Sequence, residues 1–286
     1  AILLISLAFS LPAQNGFSYY SPAGFRFSGS PLGFNPRFKA DANSVLDVNG
    51  NIVRLHGYVG PTPDFDCILQ VSDLAGNELY ARVIDLPNRR LVPMAVTDAP
   101  GVGHGVIVYD AGSNSSYVML FDYGGSVVWT REIPDCIAKD LDWVSAGASG
   151  SEELVVIGEH AAGFASLHQF IAANGAATVE YFLPGPGNNQ TFGYTLDNFD
   201  PCPNGYYKVL TTNGGDIMYC HTFLNTGVYQ YTIANRVVGS NQVSPFSIER
   251  HTQGMMVVSG TVNGPNGQDM FLAYLNAHGK MQWKRH

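Results

Sequence analysis

The sequence predicts an all-β fold, a β-propeller of four-stranded antiparallel blades, and three observations carry that prediction. A glycine recurs at positions 76, 125, 175, 227 and 279, so the intervals are 49, 50, 52 and 52 residues. Four places after these glycines stand Tyr80, Trp129, Val179, Tyr231 and Trp283, most of them large and apolar. Around each glycine, short runs rich in aromatic and β-branched residues are separated by turn formers, and no run carries the i, i+3, i+4 pattern of a long helix. Units of about fifty residues with four short strands bury their apolar faces by packing on their neighbours, as propeller blades do.

The strands of each unit follow in order. The third strand precedes the glycine in CILQVSDLAG (67–76), YVMLFDYGG (117–125), SLHQFIAANG (166–175), IMYCHTFLNTG (217–227) and MFLAYLNAHG (270–279). The glycine suits a tight hairpin that needs positive φ. The fourth strand is NELYARVI, SVVWTREI, AATVEYFL, VYQYTIAN or KMQWKRH. The second strand lies upstream in NIVRLHGYVG (51–60), GVIVYDAG (105–112), ELVVIGEHAAG (153–163), YYKVLTTNGG (206–215) and MMVVSGTVNG (255–264). A shorter first strand is expected around residues 44–48, 93–97, 142–146, 192–196 and 245–248.

These alignments divide the chain into blades 37–86, 87–134, 135–184, 185–238 and 239–286. Residues 15–36 fit the last half of a further blade, because Gly24 stands 52 residues before Gly76 and FSYYSPAGFRF follows the pattern of FLAYLNAHGKMQW. A six-bladed ring is one expectation, with a fragment or imperfect closure as the others. Residues 1–14 (AILLISLAFSLPAQ) read as the remnant of a secretory signal peptide, with a buried first strand as the alternative. About eleven apolar residues before Pro12 fall short of the roughly 20 that span a bilayer, so no membrane span is expected.

Charged residues make up only 13% of the chain, and 32 of its 286 residues are Gly. The formal net charge of −8, with basic residues scattered, excludes nucleic acid as the expected partner. Few charges with many Gly and Tyr suit a protein outside the cytoplasm: secreted, extracellular or at the cell surface, with the periplasm as a variant. Cys67, Cys136, Cys202 and Cys220 are spaced by 69, 66 and 18 residues, which matches no zinc motif. Buried thiols and disulfides both stay open.

No catalytic constellation emerges. His56, His160, His168, His221 and His251 lie on or beside expected strands without metal-ligand spacing, so no metal and no cofactor is expected. Asp64 with Asp66, and Asp197 with Asp200, are close enough in sequence to hold Ca²⁺ or share a proton, but the first pair reads better as a solvated loop and the second as an Asx-rich turn. GVGHG (101–105) lacks the helix that a phosphate loop needs and reads as a hairpin connection. Propellers bind ligands at the face built from connections between second and third strands and from blade to blade. On that rule the binding candidates are Tyr58, Asp110, His160 and Asn213, each near the end of a second strand.

LAYLNAHGKMQW (272–283) and MLFDYGGSVVW (119–129) carry a resemblance to the secreted repeat propellers of Bacteroidota, in which a strand, a tight glycine turn and an aromatic strand recur. The resemblance covers the five units and implies a bacterial exported protein without specifying an activity. The glycine-to-tryptophan offset also resembles quinoprotein propellers, whose acidic and threonine positions are missing here. The function expected is a non-enzymatic binding or scaffold protein that contacts protein or glycan through loops of one face. The alternative is a polysaccharide-active hydrolase or lyase with carboxylates at the channel mouth.

Overall fold

A computed structural model describes residues 44–59, 65–84, 90–145, 150–183, 195–198, 206–212, 214–250, 255–264 and 267–285. The expected leader at 1–14 and half blade at 15–36 lie outside these residues, as do Cys202, Asp64, Asp200 and Asn213. Every element among the described residues is a strand, and the strands form five four-stranded antiparallel sheets.

The first sheet holds β1 (Ser44–Leu46), β2 (Ile52–Val59), β3 (Phe65–Ser72) and β4 (Glu78–Ile84). The second holds β5 (Leu91–Ala99), β6 (Gly103–Asp110), β7 (Ser115–Phe121) and β8 (Val127–Ile133). The third holds β9 (Cys136–Val144), β10 (Glu153–His160), β11 (Ala165–Ile171) and β12 (Ala177–Phe182). The fourth holds β13 (Thr195–Asn198), β14 (Tyr206–Thr212), β15 (Ile217–Leu224) and β16 (Tyr229–Arg236). The fifth holds β17 (Gln242–Arg250), β18 (Met256–Gly264), β19 (Gly267–Leu275) and β20 (Met281–Arg285).

Strand order follows chain order in every sheet, and each sheet meets the next largely through its first strand: β2 with β5, β5 with β9, β9 with β13, β13 with β17. This is a β-propeller. Apolar cores lie between sheets. Val53, Leu69 and Tyr80 of the first sheet pack with Val106, Met119 and Phe121 of the second. Ile107, Leu120 and Trp129 of the second pack with Leu141, Leu154 and Phe170 of the third.

Three of the first strands are longer than expected, while β1 and β13 are shorter, with three and four residues. β5, β9 and β17 each have nine residues, and β9 starts at Cys136, six residues before the expected start. The sequence CIAKDLDWV conceals it because a register shift at Ile157/Gly158 breaks simple alternation, burying Cys136, Ala138, Leu141 and Val144. Similar shifts at Pro93/Ala95 and Pro245/Ser247 interrupt β5 and β17. Bulges of this kind bend a strand and obscure its period of two.

The recurrent glycine closes the hairpin between third and fourth strands. All five have positive φ, from 67° at Gly175 to 86° at Gly76 and Gly279. In the first, second and fifth sheets an Asp or Asn three residues earlier accepts the glycine N–H on its main-chain carbonyl. Its side-chain oxygen accepts the N–H of the residue after the glycine: Asn77 on Asp73, Ser126 on Asp122, Lys280 on Asn276. A bulge follows in the register, at Val71/Ser72, Leu120/Phe121 and Tyr274/Leu275. A turn followed by a left-handed bulge residue is the geometry that selects glycine.

The residue four places on explains the second half of the repeat. A side chain added at Gly125 would come within 2.7 Å of the Tyr80 ring of the preceding sheet. At Gly175 it would meet the Trp129 ring at 2.6 Å, and at Gly227 it would meet Val179 at 2.5 Å. The first three sheets therefore set this residue on the bare backbone of the next sheet's turn, whereas Gly279 of the fifth sheet meets Cys220 of the fourth, at 2.5 Å, in place of Tyr231. Polar groups secure the same joint. Arg82 donates to the carbonyls of Gly125 (2.8 Å) and Gly124 (3.1 Å), and Arg131 to those of Gly175 (2.7 Å) and Asn174 (3.0 Å). Trp129 Nε1 donates to Ala172 O at 2.7 Å, and Asn235 Nδ2 to Gly279 O at 2.8 Å.

Candidate functional site

The connections between second and third strands were expected to form the binding face, and the four candidate residues fall into different roles. Tyr58 is the penultimate residue of β2, opposite Asp66 on β3. Asn213 lies outside the described residues. Asp110 ends β6 and is fully buried. Its carboxylate accepts the Gly112 N–H at 2.8 Å and the Ser113 hydroxyl at 2.6 Å, so it holds the turn into β7 in shape. Such an Asx turn needs the short side-chain oxygen of Asp or Asn and leaves this carboxylate engaged with the protein itself.

His160 is placed differently. It ends β10, where its main-chain N–H donates to Phe164 O at 2.9 Å and its Nδ1 accepts the Ala162 N–H at 3.1 Å. That bond fixes the ring over the turn 161–164, parallel to the Phe164 ring at 4.8 Å between centroids and 4° between planes. Phe182, at the end of β12, meets both edge-on, 4.7 Å from Phe164 and 5.7 Å from His160. Phe182 is 47% exposed, so three rings form an open aromatic ledge. The Ala161 N–H donates to Asp135 O at 2.7 Å, tying the ledge to the turn between β8 and β9. Lys139 of β9 and Glu159 of β10, one residue before His160, form an ion pair at 3.8 Å. The sequence reading found His160 but missed Phe164 and Phe182. They are eighteen residues apart in the chain and converge only because β11 and β12 pair with Ser166 opposite Phe182.

A cluster of perturbed titratable groups lies elsewhere, in the seam between the first two sheets. His104 on β6 is wholly buried, with Nδ1 2.7 Å from the Tyr80 hydroxyl and Nε2 3.4 Å from Asp47 Oδ2, a contact without hydrogen-bond alignment. Tyr123 donates to Asp98 Oδ1 at 3.1 Å and stands edge-on to His104 at 5.1 Å. Asp98 Oδ2 in turn accepts the Val48 N–H at 2.9 Å. Burial opposes ionisation of Asp47, but hydrogen bonds from Asn51 and Asn49 outweigh it and hold the carboxyl below its usual value. Burial raises Asp98 and lowers His104, keeping the imidazole neutral, and burial with the Asp98 charge pushes Tyr123 up to about 12. Opposed carboxylate shifts can mark an acid–base pair. Here the buried partners are the two sheets themselves, so the cluster acts as a polar lock between blades.

Burial also keeps His168 and His221 neutral down to about pH 4, consistent with packed histidines rather than ligands. His221 bonds the Thr211 and Thr232 hydroxyls at 2.8 and 2.7 Å. Cys136 and Cys220 are buried thiols whose ionisation burial pushes up to about 11 and about 12.

No family model matches the chain, and no curated protein matches it either. Solved structures do. The chain is similar to the Dos1 propeller, at 9% identity and a TM-score of 0.52, over 86% of this chain and 62% of that one. It is similar to a puromycin-hydrolyzing peptidase of Mycobacterium tuberculosis, at 14% identity and a TM-score of 0.50, over 84% of this chain and 37% of that one. BamB from Moraxella catarrhalis aligns at 12% identity with a TM-score of 0.42, over 80% of this chain and 75% of that one. The chain thus spans less than two thirds of the Dos1 chain and little more than a third of the peptidase. At these identities the likeness concerns fold alone, and it agrees with the sheets and seams above: the chain is a repeat protein with the β-propeller fold.

Proposed function

We propose that this protein is a secreted or cell-surface binding propeller that contacts a protein or glycan through the connections of one face, without turning its ligand over. The observation that carries this reading is the ledge of His160, Phe164 and Phe182. An exposed ring, Phe182, held edge-on against the half-buried His160 and Phe164 suits contact with a ligand surface, where aromatic anchors dominate binding energy. The one described carboxylate at an expected site position, Asp110, is spent on its own turn.

The test is a titration of the purified chain against soluble oligosaccharides and peptides, read by isothermal calorimetry. Phe182→Ala should weaken any saturable binding about 10-fold or more without moving the unfolding midpoint appreciably. Hydrolysis or elimination of a polysaccharide, unaffected by Phe182→Ala, would overturn the proposal in favour of the hydrolase or lyase alternative.

A further inference from the structure

The buried histidines His104, His168 and His221 differ in what they hold. His168 bonds Ser166 at 3.1 Å, and His221 bonds Thr211 and Thr232, all partners within their own sheets. His104 of the second sheet instead reaches across a seam, to Tyr80 and Asp47 of the first. Burial holds the Tyr80 hydroxyl protonated, so it donates and His104 Nδ1, 2.7 Å away, accepts. The ring's own N–H then sits on Nε2, facing Asp47, because the other tautomer would aim a lone pair at a carboxylate oxygen 3.4 Å away. That Nε2 has no aligned acceptor. Asp47 is held by donors of its own turn: the Asn49 N–H at 2.9 Å, the Asn51 N–H at 2.8 Å and Asn51 Nδ2 at 3.0 Å.

A second proton on this ring would occupy Nδ1 and so remove the hydrogen bond that His104 accepts across the joint. An imidazolium kept from water is disfavoured unless an aligned anion meets it. The charged and titratable groups around the ring are Asp47 on the β1–β2 turn, Tyr80 and Arg82 on β4, Asp98 on β5, and Asp122 and Tyr123 on the β7–β8 turn. β2 and β7 face the same core with Val53, Leu55, Met119 and Phe121. Asp47 and Asp122 draw a proton to the ring, but burial outweighs them and holds His104 below its ordinary 6.5. We propose that His104 is the release of an acid-operated latch: proton uptake by this imidazole frees the joint between the first and second sheets while that between the fourth and fifth stays shut. A loosened joint lets water reach the ring, which then takes the proton that the closed seam refuses. Below pH 6.5 acid therefore raises the share of opened molecules, by up to about 10-fold per pH unit, until the closed seam itself takes up the proton. Asp98 works the other way: burial raises its carboxyl, so proton uptake there favours the closed joint.

Two main-chain amides report the joints. The Val48 N–H donates across the first to Asp98 Oδ2 at 2.9 Å, and the Met281 N–H donates from the fifth sheet to Asn235 Oδ1 of the fourth at 2.7 Å. Hydrogen exchange of the full chain, read at each residue by NMR and divided by the unstructured-chain rate at the same pH, measures the opening of each. The ratio of Val48 to Met281 exchange should rise between about pH 7.5 and 5.5, by up to about 10-fold. His104→Gln, which takes up no proton, should leave the ratio flat, and Asp98→Asn should steepen its rise. In the wild-type chain the His104 ring should titrate below 6.5 with its proton on Nε2, as read from its nitrogen shifts. A flat or falling ratio would overturn the proposal, as would a rise that survives His104→Gln or vanishes in Asp98→Asn. So would a His104 ring that titrates above 6.5, a readout that needs no variant.

Discussion

Replacing Gly175 by alanine tests the joint between the second and third sheets. Two costs add at this position. A non-glycine residue at φ 67° pays the left-handed penalty, about 1–2 kcal/mol. Its Cβ would sit 2.6 Å from Trp129 Cδ2 and 2.7 Å from Cε3, inside contact distance of a ring pinned by its bond to Ala172 O. Forcing a methyl into such a packed site costs about 1–3 kcal/mol more. Gly175→Ala should therefore destabilise by about 2–5 kcal/mol. Gly76→Ala is the control: φ is 86° but nothing lies within 4 Å of the added carbon, so only the left-handed cost of about 1–2 kcal/mol applies. Trp129→Ala should cost about 3–5 kcal/mol through its cavity and lost hydrogen bond. With the ring gone the steric part of Gly175→Ala disappears. The double variant should thus be about 1–3 kcal/mol more stable than the sum of the singles. Urea unfolding followed by far-ultraviolet circular dichroism measures all four proteins. Additive single effects, or a Gly76→Ala cost equal to that of Gly175→Ala, would refute the joint.

Other outcomes follow from the same contacts. Arg131→Ala should lower stability by about 0.5–1.5 kcal/mol, and Arg131→Lys should recover little of it, because a point ammonium cannot span two carbonyls as the guanidinium does; urea midpoints decide it. His168 and His221 have native values near 4 against an ordinary 6.5, so the unfolded chain binds more protons between those limits. Stability should fall as pH drops from about 6.5 towards 4, by on the order of 3 kcal/mol for each histidine. His168→Gln and His221→Gln should each flatten that slope in unfolding curves at stepped pH. Cys136 and Cys220 should resist iodoacetamide in the native protein and label fully in urea, as mapped by peptide mass spectrometry.

Much of this fold was legible because the informative residues sit close together in the chain. The glycine turn, its Asx partner and the aromatic four places later all fall within eight residues, and their spacing recurs. Their purpose was not legible: Tyr80 and Gly125 touch across 45 residues, and no local pattern reports that. The expected first strand at 93–97 falls inside β5 but is too short, and the one at 142–146 is displaced, where bulges at Pro93/Ala95 and Ile157/Gly158 disrupt the alternation that sequence reading depends on. Of the candidate site, His160 was visible through its position at a strand end. The rings that give it meaning, Phe164 and Phe182, come together through strand pairing. Asp110 shows the converse limit, since its position matched the rule while its hydrogen bonds commit it to structure.

Because the side chain and the bare turn that receives it belong to successive sheets, the first three sheets each present a plug to the socket of the next. Copying or deleting one of these units leaves each plug facing a socket of the same kind, so the array can change length without redesigning its internal contacts. A substitution at one member, by contrast, can be compensated only in the adjoining unit, roughly fifty residues away. Selection on this architecture would act on pairs of neighbouring units, and swapping units between related chains should succeed when both borders of the transplanted piece are matched.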